Sequence, residues 1–519
     1  MPQSDFRNEP LSDFQANPEH FRRMKEAVEE VGKELGREYP LVIGGERLNT
    51  KEKLTSYNPA QKDQAVGVFS KGTAELADRA IRAADEAFKK WSHTKAEDRV
   101  QLVLKAGKAI RERKYYYAAW MVYEVGKSWP EADADVAETI DFCEFYSREM
   151  LRLDKPAPLT PLPGEKNYLR YIPLGVGVVI PPWNFPMAIM AGMTLASIVT
   201  GNTVVMKPSS DSPTIAYKFF EVLEEVGLPK GVANFLPGPG ATVGDVLVTH
   251  PRTRYVAFTG SKDVGLRINE LAAKHQPGQI WVKRVVAEMG GKDSIVVDSE
   301  TDLDAAVEGV AQSAFGFQGQ KCSACSRAIV LEKVYDAFLD KLKDRVQQIK
   351  VGSPADPSTS MGPVINAGAK KSILGYIEAG KKEGRLLTGG NAGSGSGHFL
   401  EATVIADVPP TARIAQEEIF GPVLAVIKAV NFDEALEIAN NTEYGLTGAV
   451  YTKNRRKLDK AAEQFHVGNL YFNRKCTGAL VGAHPFGGFN LSGTDSKSGG
   501  HDYLLLFLQA KVVAEKVAS

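Results

Sequence analysis

From residue 18 the chain sets Phe21, Met24, Val28, Val31 and Leu35 three or four positions apart, which predicts a helix with one apolar face over 18–36. The same period returns over 73–92, 95–126 and 130–152. The segment LDKPAPLTPLPGEKNY (153–168) carries four prolines, cannot be a helix interior, and predicts an extended arm. Beyond it, continuous apolar runs alternate with helical stretches. VGVVI (176–180) precedes a helix at 187–200, TVVM (203–206) one at 212–227, and VANFL (232–236) a short one near 242–249. YVAF (255–258) leads to a helix ending about 274, then RVVAEM (284–289). Such alternation implies a parallel sheet covered on both faces. A second α/β series starts at SIVV (294–297) and runs to about 480. The end, LLLFLQAKVVAEKV (504–517), predicts a strand for pairing with another subunit, with the proline-rich arm as its companion.

Residues 171–206 contain no charged side chain and are long enough to cross a bilayer. Pro181, Pro182, Asn184 and Pro186, then Gly201 and Asn202, interrupt them. The remaining run, MAIMAGMTLASIVT, is too short to span, so the stretch reads as strand, loop, buried helix, strand, with no membrane partner. A length of 519 residues suggests about three structural units. Lys plus Arg and Asp plus Glu both number 63, so the basic excess of a polyanion binder is missing and no nucleic-acid partner is expected. Four cysteines are too few for a disulfide framework. The start, MPQSDFRNEPLSDFQ, lacks the apolar stretch of a signal peptide, and its acidic residues argue against a transit peptide; a cytoplasmic location is expected.

Three side chains have the chemistry of a catalytic site. Cys322, in GFQGQKCSACSR, follows a helical stretch (303–316) and a glycine-rich turn, beside Lys321. Nearby positive charge or backbone N–H dipoles lower a thiol's pKa, which suits a nucleophile. Three other readings stand beside it: an inert core thiol, a CxxC redox pair with Cys325, or half of a zinc site. Zinc needs two further ligands, and the eight histidines are scattered, so no metal is expected. Glu288, in AEMGGKD, closes a strand, and ligands bind at the carboxyl ends of parallel strands; the plainer reading is a solvated loop carboxylate. Asn184, in PPWNFP, sits on a proline-flanked turn that can fix its amide as an oxyanion donor, or serve only the loop backbone.

The phosphate-binding signals are weaker one by one. LPGPGATVG (236–244) is a dinucleotide-like glycine pattern with one residue too many. FTGSKDVG (258–265) ends a strand and opens a helix, a place where backbone N–H groups can meet a pyrophosphate. Lys207 ends a strand in VVMKPSS, within reach of a ribose or phosphate.

Taken in order, PPWNFP, VVMKPSS, FTGSKDVG, AEMGG, GQKCSA and QEEIFGPV (416–423) resemble the NAD(P)-dependent aldehyde dehydrogenase superfamily over roughly 40–515. The resemblance implies an α/β fold with a Rossmann-type cofactor domain, an α/β catalytic domain and a small β oligomerisation arm. It assigns 1–152 and 170–289 to the N-terminal helical region plus NAD(P)-binding domain, 290–495 to the catalytic domain, and 153–169 with 496–519 to the arm. It implies a homodimer or larger homo-oligomer. Cys322 becomes the nucleophile and Glu288 the general base, with Asn184 and the Cys322 N–H forming the oxyanion hole. Lys207 contacts the adenosine ribose; Gly244, Gly260, Ser261 and Gly265 line the cofactor phosphates; Glu418 and Phe420 hold the nicotinamide end. Many NAD-preferring relatives carry Glu three residues after the lysine. Ser210 stands there, so the bar to a 2′-phosphate is missing, and the expectation is NAD favoured with NADP accepted.

FNRKCTGALVGAHPFGGFNLSGTDSKSGG (472–500), ADADVAETIDFCEFY (132–146) and the N-terminal extension are similar to the branch of that family acting on L-glutamate γ-semialdehyde, in proline and arginine catabolism. In that branch Ser323 and the backbone of Gly478 and Ala479 hold the amino-acid end, Phe486 packs nearby, and Glu138 shapes the pocket. The chemical rival is succinate semialdehyde. A different class, a cofactor-independent thioester hydrolase, would pair Cys322 with His484.

Overall fold

A computed structural model describes residues 6–517. The outermost ends of the N-terminal and arm assignments, 1–5 and 518–519, lie outside the described residues. Two seven-stranded sheets organise the molecule. In the first, Arg284–Glu288, Thr253–Thr259, Val176–Ile180, Thr203–Met206 and Ala233–Phe235 lie side by side and parallel. The helices between them bury apolar faces on the sheet, as the alternating runs predict; in Ala188–Val199 every residue but Ile189 is buried. That helix explains the uncharged stretch as core. Among the described residues no helix is long and apolar enough to cross a membrane.

The second sheet runs Arg385–Thr388, Thr403–Ala406, Val423–Ala429, Cys325–Leu331, Asp293–Val297, Thr447–Tyr451 and Asn469–Phe472. Only its first strand is antiparallel to its neighbour. Glu288 ends an edge strand of one sheet and Asp293 begins an interior strand of the other, so Met289–Lys292 joins the two sheets.

The N-terminal region departs from its all-helical expectation. The helix Pro18–Gly32 is present, capped by the Asn17 side chain accepting from the Glu19 and His20 N–H groups. Residues 37–70, however, are strands. Leu41–Ile43 and Glu46–Leu48 form a hairpin that extends the first sheet antiparallel, and Lys53–Asn58 with Gln61–Ser70 form another beside Arg37–Tyr39. These strands are short or carry polar residues on their open face, so the apolar period that marks a buried strand is absent. The helix expected over 95–126 breaks at Arg113 (φ −114°, ψ 26°) into Ala96–Glu112 and Lys114–Val125.

The arm differs too. Leu508–Lys516 pairs antiparallel with Glu165–Pro173 of the same chain, which also pairs with Ala157–Pro158. The arm strand thus runs past 169, because Tyr168–Pro173 continue the pairing. Residues 496–507 leave the arm: Tyr503, Leu504 and Phe507 are buried in the core of the first unit, as their apolar side chains require.

Candidate active site

The turn before Cys322 is built against local preference. After the helix Leu303–Phe315 the backbone passes through positive φ at Phe317 (48°), Gln318 (60°) and Gly319 (66°). Two consecutive non-glycine residues there cost about 1–3 kcal/mol each unless the surroundings fix them. The buried Gln318 amide supplies that fixing: Nε2 donates to the Gly126 carbonyl (3.0 Å) and the Pro363 carbonyl (2.8 Å), and Oε1 accepts from Gly362 N–H (3.1 Å). Gln320 Oε1 accepts from Ile365 N–H at 2.9 Å. At Gly319 a Cβ would collide with the Gly421 carbonyl, so glycine is required. The result leaves Cys322 half-buried, whereas Cys143, Cys325 and Cys476 are buried.

Asn184 is tied to this turn. Its Nδ2 donates to the Gln320 carbonyl at 2.9 Å, two residues before the thiol. The side chain is 3 % exposed, so the proline-flanked loop holds a buried amide against the nucleophile's own turn. Glu288, at its strand end, is also buried. Oε1 accepts from the Ser496 hydroxyl, while Oε2 has no hydrogen-bond partner among the described residues. Burial pushes its carboxyl up to about 8, against the opposing pull of Ser496 and Lys497. A carboxylate in that range is a competent base near neutral pH.

The expected lowering of the Cys322 pKa by Lys321 is corrected. Lys321 Nζ turns away to Glu131 at 2.7 Å. Burial, and then Asp293, Glu288 and Glu418, hold the thiol well above the usual range. The resting group is therefore a neutral thiol facing carboxyl groups, and it needs a proton acceptor or a cationic neighbour before it attacks.

In the first sheet, Lys207 follows the strand Thr203–Met206, 7 % exposed, and the Pro208 carbonyl at 3.4 Å is its one hydrogen-bond partner among the described residues. Burial lowers it to about 8. A Cβ on Gly244 would stand 3.6 Å from its Cε, so the glycine leaves the ammonium's flank open. Ser210 is exposed. Gly260 follows the strand Thr253–Thr259, and Ser261 caps the helix Lys262–Ala273 without spending its hydroxyl on a capping bond. In the first turn of that helix, Gly265 makes room for the Met289 side chain, which a Cβ would force to move. Glu418 Oε1 accepts from Gly291 N–H at 3.0 Å, and burial pushes the carboxyl up to about 7. Phe420, at φ 54°, sets its ring edge-on to Trp183 with centroids 5.5 Å apart.

The expected substrate residues converge through long-range links. The Cys476 thiol donates to the Ser323 carbonyl at 3.3 Å, bringing the 476–482 loop to the residue after the nucleophile. Arg474 Nη2 holds the Thr477 and Gly478 carbonyls, both at 3.1 Å, and Gly478 takes φ 76°. Ala479 is half-buried. Phe486 and Ser498 exchange backbone hydrogen bonds of 2.8 and 2.7 Å, close to the Ser496 that binds Glu288. Glu138 has no hydrogen bond among the described residues, and burial pushes it up to about 8. Glu131, two turns earlier on the same helix, binds the side chain next to Cys322.

Residues 47–513 match the aldehyde dehydrogenase family. The chain belongs to that family. It is 61 % identical over 512 residues to a 1-pyrroline-5-carboxylate dehydrogenase of Geobacillus sp. (strain WCH70), covering 98 % of this chain and 99 % of the relative. The structure of a mutant of Thermus thermophilus 1-pyrroline-5-carboxylate dehydrogenase superposes with a TM-score of 0.98 at 53 % identity, over 99 % of this chain and 100 % of that one. A Thermus 1-pyrroline-5-carboxylate dehydrogenase with bound NAD gives 0.98 at 52 % identity, with the same coverage.

In this aldehyde dehydrogenase the competing readings of the sequence lose their geometry. Cys325 points into the core, donating to the Arg327 carbonyl at 3.4 Å, and its thiol neighbour is Cys476, not Cys322. His484 Nδ1 accepts from Leu480 N–H at 3.2 Å and Nε2 lies 3.4 Å from Arg474 Nη1, so its ring serves the 476–484 loop. Four residues that matter here carried no signal in the sequence: Gln318, Ser496, Glu131 and Asp293. Each acts on a partner more than a hundred positions away or belongs to a motif only by adjacency.

Proposed function

We propose that this enzyme oxidises L-glutamate γ-semialdehyde, in equilibrium with 1-pyrroline-5-carboxylate, to L-glutamate with NAD. The observation that carries the reading is the clasp around Cys322: Asn184 bound to the turn before it, and the Gly478–Ala479 loop bound through Cys476 to the residue after it. That arrangement sets a nucleophile, an amide donor and a run of backbone donors on one small volume. A desolvated carboxylate needs such donors, which a simple aliphatic aldehyde does not.

The cofactor fit is supported by Lys207, a buried cation with one weak partner, and by the open flanks at Gly244 and Ser261. Lys207 takes the adenosine ribose, Gly244, Gly260, Ser261 and Gly265 the phosphates, Glu418 and Phe420 the nicotinamide end. When bound, the dinucleotide supplies the acceptor for the two electrons and the hydrogen leaving the aldehyde carbon. With serine at 210, NADP is accepted and NAD preferred.

The chain's own groups act in sequence. The Cys322 thiol gives its proton to a solvent water, and Sγ bonds to the aldehyde carbon as the carbonyl π pair moves onto oxygen. The oxygen, now an alkoxide, receives hydrogen bonds from Asn184 and the Cys322 N–H; each well-placed donor is worth about 3 kcal/mol. After oxidation the acyl group is a thioester on Cys322. Glu288 then takes a proton from water, whose oxygen bonds to the acyl carbon and releases the thiol and the acid. Ser323, Gly478 and Ala479 hold the amino-acid end, with Phe486 and Glu138 around it. Residues 6–152 and 174–289 carry the cofactor side, 290–495 the nucleophile, and the arm strands Glu165–Pro173 and Leu508–Lys516 pair copies into a homodimer or larger assembly in the cytoplasm.

Adding pyrroline-5-carboxylate with NAD should produce NADH absorbance, with kcat/KM well above that for succinate semialdehyde, and Cys322→Ser should be silent. Equal kcat/KM for the two aldehydes would sink the substrate assignment, and a Cys322 variant with normal turnover would sink the mechanism.

A further inference from the structure

We propose that Asn8, on the N-terminal strap, is a positioning residue for substrate selectivity: it holds the loop that reads the non-reacting end of the substrate. This rests on the reading that Gly478 and Ala479 bind that end. The strap lies ahead of residue 47, where the family match begins, so nothing in the family's own span requires it.

The strap is fastened in two places. Behind, Ser12 N–H and hydroxyl both donate to Asp133 at 2.7 Å, and Lys114 binds Asp133 (3.0 Å) and the Pro10 carbonyl (3.0 Å). Glu9 pairs with Arg111 at 2.8 Å, and its N–H donates to Asp141 Oδ1 at 2.6 Å. All of these partners lie on the helices Ala96–Glu112, Lys114–Val125 and Trp129–Leu153, which form a firm base.

In front, the strap reaches the loop. Asn8 Nδ2 spends one hydrogen on Asp141 Oδ2 (2.8 Å) and the other on the Val481 carbonyl (2.9 Å). One planar amide therefore joins the buried helix to the backbone two residues beyond Ala479. Phe6 packs edge-on to Phe145 with centroids 5.2 Å apart, and both rings border Gly482, where a Cβ would come within 3.0–3.1 Å. Gly482 is at φ 78°, and its N–H donates to the Gly499 carbonyl at 2.8 Å. The loop is thus gripped by Arg474 and Cys476 on one side of Gly478–Ala479 and by Asn8 and Gly499 on the other. A backbone donor pair binds a carboxylate well only when its spacing is held, and a loose loop loses that spacing before it loses anything else.

The test compares the full-length enzyme with Asn8→Ala on glutamate semialdehyde and on propanal, which has no amino-acid end. Loss of the bridging amide should raise KM for the semialdehyde about five- to tenfold, leave kcat within about twofold, and leave kcat/KM for propanal unchanged. Hydrogen–deuterium exchange should accelerate at 478–482 while 176–206 keeps its protection. Unchanged KM, or equal losses on both aldehydes, would overturn the role in selectivity. Unchanged exchange at the loop would overturn the grip itself. A wild-type enzyme that failed to discriminate between the aldehydes would instead overturn the substrate reading, and the selectivity role with it, while the exchange result would still decide the grip.

Discussion

The two walls of the proposed site are made in opposite ways. The wall with Lys207, Gly260 and Ser261 is a row of strand ends, each running directly into its own turn or helix. The wall with Cys322 is a clasp: positive-φ backbone at Phe317 and Gln318, locked by carbonyls at Gly126 and Pro363, and a 476–482 loop held by a thiol, a guanidinium and an N-terminal amide. A regular strand end needs little beyond its own sheet to be in place. The clasp stores strain and depends on distant partners, so small changes far from the chemistry reach it.

The comparison breaks first at Glu288, which belongs to a strand end but serves the clasp through Ser496. Glu288→Gln should slow deacylation about 10²–10⁴-fold, with the first burst of NADH retained in stopped-flow. The wild-type profile should fall as pH drops through about 8, because the base must be ionised and burial holds its pKa there; the variant should lack that limb. A limb below pH 5 would place the carboxylate in water and detach it from the clasp.

Next comes the lock. Gln318→Ala leaves the Gly126 and Pro363 carbonyls and the Gly362 N–H without their buried partner. It should cost about 2–4 kcal/mol of stability by denaturant unfolding and lower kcat, since the strained turn relaxes. A stable variant with normal kcat would mean the turn holds itself. The smallest effect belongs to the regular wall. Lys207→Ala should raise KM for NAD about tenfold with stability little changed, because one weak contact and a buried cation are removed together. A collapse in stability there would erase the distinction between the walls.

The same contrast explains what could be read from the chain alone. Strand–helix alternation is a local signal, so the parallel sheets, the buried 188–199 helix and the positions of Lys207, Gly260 and Glu288 at or beside strand ends were legible. Polar edge hairpins such as Lys53–Asn58 with Gln61–Ser70 carry no apolar period and were missed. Adjacency makes Lys321 the group expected to ionise Cys322; its side chain pairs with Glu131 instead, because a flexible lysine beside a half-buried carboxylate follows the stronger partner. Glu131, on the same helix as Glu138, carries no sequence signal, and its contact with Lys321 is made 190 positions away. Adjacency in sequence fixes a Cα, and a long side chain is free to leave it.

The arm has a consequence for handling the molecule. Leu508–Lys516 hydrogen-bonds to Glu165–Pro173 along one margin, and among the described residues its other margin has no strand beside it. A nine-residue ribbon with alternate amides and carbonyls directed outward is adhesive toward any extended chain. Dilution strips such a ribbon of its companions, and crowding supplies them. If the proposed assembly forms through this ribbon, specific activity should drift with protein concentration until the ribbon is matched, and a tag fused behind the strand should weaken that drift by crowding its open margin.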